Sequence, residues 1–266
     1  MKLKPVTTKQ SIRLDDADAT VHGLKKSDDQ VKAAADKEAD RISDLQRVLY
    51  ADGRYALLIV LQGRDASGKD GTIRRVFSAV NPQGCAVTSF KAPTEYEREH
   101  DYLWRIHVRV PARGMIGIFN RSHYEDILVP RVHGLLPKSV WSARYDQIND
   151  FERMLADTGT VILKFMLHIS HDEQKKRLEE RLTDATKNWK FRVGDLDDRR
   201  RWDAFTKAYR GILANTSTKR APWYVVPADD KDVRNWLIAR TIADTLQKLK
   251  LRYPPPDPAL EGLQIE

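Results

Sequence analysis

Residues 57–62 (LLIVLQ) lead directly into Gly63-Arg64-Asp65-Ala66-Ser67-Gly68-Lys69-Asp70-Gly71, and this junction constrains the fold more than any other feature of the chain. An apolar strand, then G-x-x-x-x-G-K, then a helical pattern is the arrangement of a phosphate-binding loop. Gly63 and Gly68 permit the tight turn, successive N–H groups face inward, and the helix N-terminus adds positive potential for a phosphate. Lys69 then supplies a point charge to a phosphoryl group in flight. Phosphate binding is therefore expected of Gly63, Arg64, Ala66, Ser67, Gly68, Asp70 and Gly71 together with Lys69.

Five runs rich in Val, Ile, Leu and Phe read as buried strands: 55–62, 85–91, 115–120, 161–170 and 223–226. Helical patterns over 30–50, 71–80, 96–105, 140–155, 171–182 and 233–249 fall between or beside them. Strands alternating with helices predict an α/β chain with an open, doubly wound parallel sheet. Ser170, three residues before Glu173, marks a capping box at the start of one helix. Between 181 and 220 the charge density rises without a long apolar run, which predicts an exposed helical insertion serving as a lid. Residues 1–25 read as an N-terminal arm, and 252–266, with Pro254, Pro255, Pro256 and Pro258, as a proline-rich tail.

At 266 residues, 41% hydrophobic and 32% charged, the chain fits one globular domain and is too apolar for intrinsic disorder. No apolar run reaches the ~18 residues of a spanning helix, and the basic start MKLKPVTTKQSIRL lacks an apolar segment, so neither membrane insertion nor secretion is expected. Cys85 is the single cysteine, which fits a reducing cytoplasm and leaves metal chemistry to oxygen ligands. The net charge of +8 favours polyanionic partners. Nucleic acid is not among those expected: no recognisable binding motif is present, and the aromatic residues are not interleaved with basic ones.

Two departures from an ordinary P-loop locate the metal burden. Asp70 stands where Ser or Thr would hold Mg²⁺, so Asp65, inside the loop, becomes the candidate ligand, because Mg²⁺ takes one or two carboxylates plus phosphate oxygens and water. The second motif, Phe119-Asn120-Arg121-Ser122-His123-Tyr124-Glu125-Asp126, follows a strand and so faces the same crevice. Asn120 stands where a metal-holding Asp would be expected. Arg121 can grip a phosphate bidentately.

These motifs, with FKAPT at 90–94, Arg131-Val132-His133, Thr216-Ser217-Thr218 and APW at 221–223, resemble the second family of polyphosphate kinases, over roughly residues 30–250. The resemblance implies a three-layer P-loop kinase-like fold with a helical lid and a homodimer or homotetramer. It also implies Mg²⁺ (or Mn²⁺) dependence and reversible transfer of the terminal phosphate of inorganic polyphosphate to nucleotides. Many members carry Asp where this chain has Asn120 and Asn where it has Glu125. The version here resembles the subgroup that accepts both AMP and ADP, yielding ATP; guanine nucleotides belong to the same expectation.

On that reading Asp65 holds the metal and orients the attacking phosphate, Lys69 neutralises the transferred group, Arg121 holds the acceptor phosphate and Glu125 tunes the acceptor side. Arg74, Arg75, Lys91 and Arg131 are candidates for a polyphosphate track. Arg177 and Arg181, four apart on one helical face, are candidates for reaching down from the lid. His123 and His133 stand close enough in sequence to contact phosphate, and Trp189 to cover a base. The rival reading is an ATP-dependent nucleoside or nucleotide kinase of the same fold.

Overall fold

Ala56–Gly63 is apolar on both faces, and a strand of that kind is stable only in the middle of a sheet covered from both sides. In the computed structural model, which describes residues 1–7 and 12–265, these residues form β1 and all are buried. Residues 8–11 of the expected arm and Glu266 of the expected tail lie outside the described residues. β2 (Cys85–Ser89), β3 (Ile116–Asn120), β4 (Thr160–His168) and β5 (Trp223–Pro227) complete a five-stranded sheet in the order β2-β3-β1-β4-β5, every pairing parallel. Leu61 pairs with Asn120 on one side and Phe165 on the other, so the loop after β1 and the motif after β3 emerge together at the carboxyl edge.

The helices are α1 (Asp28–Asp52), α2 (Lys69–Val76), α3 (Glu95–Arg98), α4 (Trp104–His107), α5 (Glu125–His133), α6 (Lys138–Asp157), α7 (His171–Thr183), α8 (Gly194–Arg200), α9 (Trp202–Thr216) and α10 (Lys231–Lys248). Ile59, Ile118 and Phe165 pack on one face with Ile42 of α1, Val76 of α2 and Ile242 of α10. On the other, Val60, Phe119 and Met166 pack with Leu128 of α5, Phe151 of α6 and Leu213 of α9. The result is the expected three-layer α/β architecture.

Several expectations are corrected. β2 is an edge strand with Ala86, Val87 and Ser89 exposed, because among the described residues it pairs only with β3. The helix expected over 96–105 is split into α3 and α4 by the turn that Asp101 stabilises by accepting from Leu103 N–H and Trp104 N–H. The exposed insertion is shorter than 181–220: α9 belongs to the core, its Phe205, Ala208, Tyr209, Ile212 and Leu213 recurring at helical spacing on one buried face. Only half of the capping box forms. Ser170 caps Glu173 N–H, but the Glu173 carboxylate turns to Arg177 at 2.8 Å.

The arm runs from the amino end of β5, at Val6, to the carboxyl edge of β4 and β5, at Asp15–Ala19. Val6 N–H donates to Trp223 O, and Ser217 Oγ donates to Val6 O. His168 Nε2 donates to Asp15 O at 2.8 Å, and Asp229 N–H to Ala19 O. From Arg252 to Ile265 the tail is exposed throughout and includes a short 3-10 turn at Pro258–Leu260. No helix among the described residues is long and apolar enough to cross a membrane.

Candidate active site

The loop Gly63–Lys69 turns back tightly enough that side chains are excluded at two points. A Cβ on Gly63 would meet Leu167 O at 2.7 Å, and one on Gly68 would fall on the Arg234 guanidinium. Gly68 has φ +99°, which a residue with a Cβ rarely adopts. Ala66 and Arg121 both take left-handed backbone at φ +62°, conformations that cost free energy and persist only where the surroundings enforce them. Arg121 N–H donates to Leu61 O at 3.0 Å, and at Ala66 the enforcing groups are buried arginines. Arg177 donates to Ala66 O at 3.0 Å and to the carbonyls of Ala228 and Asp229, while Arg234 donates to Ser67 O at 3.2 Å.

A cleft of about 1080 Å³ opens above this loop. Lys69 Nζ donates to Gly63 O at 2.7 Å and to Arg64 O at 3.2 Å, and the side chain is nearly buried. Arg121 donates to Asp65 Oδ1 at 2.7 Å and lies 3.8 Å from Glu125 Oε2. Burial raises Glu125, against the pull of Arg121 and Lys69. Burial alone would lower Arg121, but Glu125 and Asp65 outweigh it and hold the guanidinium charge. Asn120 Nδ2 donates to Asp70 at 2.6 Å, so the two departures from an ordinary P-loop satisfy each other. Ser67 is buried in the loop and Gly71 lines the cleft in the first turn of α2.

The expected track divides. Arg74 and Lys91 line the cleft. Arg75 does not, because its guanidinium pairs with Asp36 of α1 at 2.6 Å. Arg131 is also turned away, donating to Tyr145 Oη at 2.9 Å and stacking on Trp141 at 4.7 Å. Arg177 and Arg181 both line the cleft: Arg181 lies 3.5 Å from Asp195 of α8, whereas Arg177 is largely buried and braces the loop. Arg64 does not line the cleft with its side chain. Its side chain points into α9, donating to Trp202 O and Thr206 Oγ1.

His123 is fully buried and pairs with Glu152 at 3.3 Å, away from the cleft. It is part of a core network in which Lys164 Nζ donates to Glu152 Oε2 at 2.5 Å, Tyr124 Oη at 2.8 Å and Thr216 O at 2.7 Å. This network anchors the segment that carries Arg121 and Glu125, and nothing in the local pattern around Lys164 announces it. His133 lines the cleft, paired with Asp198 of α8 at 2.9 Å.

The cleft also holds residues not singled out from sequence: Lys187, Lys190, Arg192, Lys231 and Arg234, with Asp195 and Asp198 opposite the loop. Burial and the neighbouring Asp65 raise both Asp195 and Asp198. Trp189, 77% exposed, stands at the cleft rim. Among the described residues no three His, Cys, Asp or Glu side chains gather as a metal site. The partly buried Asp65 therefore fits Mg²⁺ only as a shared ligand, one carboxylate beside phosphate oxygens and water.

Comparison with known proteins agrees with this geometry. The family described as polyphosphate kinase 2 matches residues 25–254. The chain is 56% identical over 226 residues to the AMP/ADP-polyphosphate phosphotransferase of Meiothermus ruber, covering 85% of each. It is 47% identical over 234 residues to the ADP-polyphosphate phosphotransferase of Rhodopseudomonas palustris, covering 84% of this chain and 81% of that one. The crystal structure of polyphosphate kinase 2 from Arthrobacter aurescens TC1 superposes with a TM-score of 0.90 at 40% identity, covering 98% of this chain and 97% of that one. By its phosphate loop, its fold and these matches, the chain belongs to the polyphosphate kinase 2 family.

Proposed function

We propose that this enzyme transfers the terminal phosphate of inorganic polyphosphate to AMP and to ADP, reversibly and with Mg²⁺. The observation that carries the reading is the cleft itself: a P-loop with Lys69 at its floor opens into a space rimmed by Arg74, Lys91, Lys187, Lys190, Arg192 and Lys231. Such a rim suits an extended polyanion, whose binding is salt-sensitive. An acceptor phosphate oxygen attacks the terminal phosphorus, that phosphorus separates from its bridging oxygen, and the polyphosphate leaves one unit shorter. A phosphoryl transfer of this kind depends on positioning and charge stabilisation and forms no bond to the protein.

In this scheme Lys69 neutralises the transferred group, Arg121 and Glu125 orient the acceptor, and Asp65 holds the cation. When bound, Mg²⁺ would offset the charge on the phosphate oxygens. Asp65, whose Oδ1 accepts from Arg121, would hold the cation through its carboxylate, and Arg121 would hold the acceptor phosphate. Trp189 is placed to cover a base. Assembly as a homodimer or homotetramer and use of guanine nucleotides are part of the same proposal.

The deciding experiment is product analysis with AMP or ADP, long-chain polyphosphate and Mg²⁺, with no ATP added. ADP and then ATP are expected from AMP. Formation of product only when ATP is the donor would favour the ATP-dependent kinase instead.

A pH dependence follows from Lys69. Burial lowers its ammonium to about 8, assisted by the Arg121 charge and opposed by Asp65, Glu125 and Asp70. The group is charged below that value, so kcat/KM for polyphosphate is expected to fall as pH rises through about 8. A profile flat to about pH 10 would contradict this, since lysine ordinarily titrates near 10.4. Stability moves the other way. Between the two values the unfolded chain binds more protons, so this group makes the fold more stable as pH rises.

A further inference from the structure

We propose that Arg64 and Trp202 form a clamp between the phosphate loop and the joint of the lid, making Arg64 a positioning residue for the reaction and not a phosphate ligand. The reaction measured rests on the reading above; the clamp rests on geometry. Arg64 is 8% exposed and does not line the large cleft. One of its terminal nitrogens donates to Trp202 O at 2.9 Å and to Thr206 Oγ1 at 2.5 Å, and its guanidinium carbon lies 3.7 Å from the Trp202 ring centroid. The edge of the same indole meets His171 at 4.8 Å. A planar guanidinium can stack on an aromatic face and donate in its own plane at once, which lysine cannot.

The neighbouring loop residue grips the other end of the same joint. Gln174 Nε2 donates to Asp65 O at 3.1 Å, and Arg199 donates to Gln174 Oε1 at 3.0 Å and to His171 O at 2.7 Å. Between Arg199 and Trp202 lies Arg201, where α8 ends and α9 begins, with φ −94° and ψ 25°. Two consecutive loop residues thus hold both sides of this break. α9 is core, whereas α8 carries Asp195 and Asp198 over the loop, so the angle at Arg201 decides where those carboxylates stand relative to Asp65. The Arg64 guanidinium is buried without a carboxylate in contact. Ligation of phosphate would not require that burial; holding α9 against the loop does.

Arg64→Met removes the stack and the donors while keeping an unbranched side chain. It is expected to lower kcat about 10- to 100-fold while KM for polyphosphate stays within about 3-fold and keeps its salt dependence. Trypsin is expected to cleave after Lys187, Lys190 and Arg192 faster than in the wild type, since a released lid opens more often. Trp202→Leu should reproduce both effects, and the double variant should be no worse than either single one, because one clamp can be broken only once. A KM raised more than about 10-fold with a shallower salt dependence would make Arg64 a phosphate ligand and overturn the clamp. Additive effects, or lid cleavage at the wild-type rate, would overturn it as well. If Arg64→Met loses its cooperative unfolding transition, Trp202→Leu carries the test, and wild-type kcat and cleavage in that variant refute the proposal. Cleavage requires no turnover, so a wild-type enzyme that formed no product from polyphosphate would overturn the proposed reaction and leave the clamp to be judged by proteolysis.

Discussion

Lys69→Met is expected to lower kcat for polyphosphate-dependent phosphorylation by about 1,000-fold, the loss typical of removing a preorganised charge from a phosphoryl-transfer site. The fold should survive. Lys69 is buried beneath the cleft and its ammonium is held below its usual range, so the native structure carries an unfavourable charge there. Methionine fills the same volume without that charge, although Gly63 O and Arg64 O lose a donor. The midpoint of thermal unfolding is therefore expected to stay level or rise. Circular dichroism melts beside steady-state kinetics separate the two effects, and a folded variant with wild-type turnover would remove Lys69 from the mechanism.

Asp65→Asn is the second large effect. The amide preserves size and an acceptor for Arg121, but it removes the charge on which the proposed cation binding depends. kcat/KM is expected to fall about 100- to 1,000-fold, with part of the loss recovered at high Mg²⁺. Titration of activity against Mg²⁺ in both proteins checks this. An unchanged Mg²⁺ midpoint would show that the cation is held elsewhere, with Asp195 and Asp198 among the other carboxylates that line the cleft.

The sheet and the loop were legible because each is written in local sequence. Parallel strands buried on both faces are continuous apolar runs, and a phosphate loop needs glycines at fixed spacing next to one of them. Side-chain direction is not local. G-x-x-x-x-G-K describes a backbone, and it is silent on Arg64 turning outward to an indole 138 positions later in the chain. Arg75 and Arg131 looked like phosphate ligands for the same reason: an arginine finds carboxylates and aromatic faces as readily as anions, and Asp36, Tyr145 and Trp141 were there to take them.

Arg234 escaped notice because its target, the carbonyl of Ser67, is brought to it only by tertiary folding. α9 was obscured differently. The charges of residues 181–201 dominate the composition of the whole segment, while the buried stripe from Phe205 to Leu213 becomes visible only when that stretch is read separately.

The arm across β4 and β5 has a consequence for synthesis. Val6 is bonded to Ser217, 211 positions further along the chain, and its own N–H is bonded to Trp223. A ribosome emits residues at about 5–20 per second, so the arm leaves the exit tunnel on the order of ten seconds or more before its docking surface exists. During that interval the central strand can collect its neighbours β3 and β4 while the Val6 end of the arm has nothing to bind. Docking of the arm is then a closing event, and protection of the Val6 amide against hydrogen exchange would report that translation and folding have both reached the last strand.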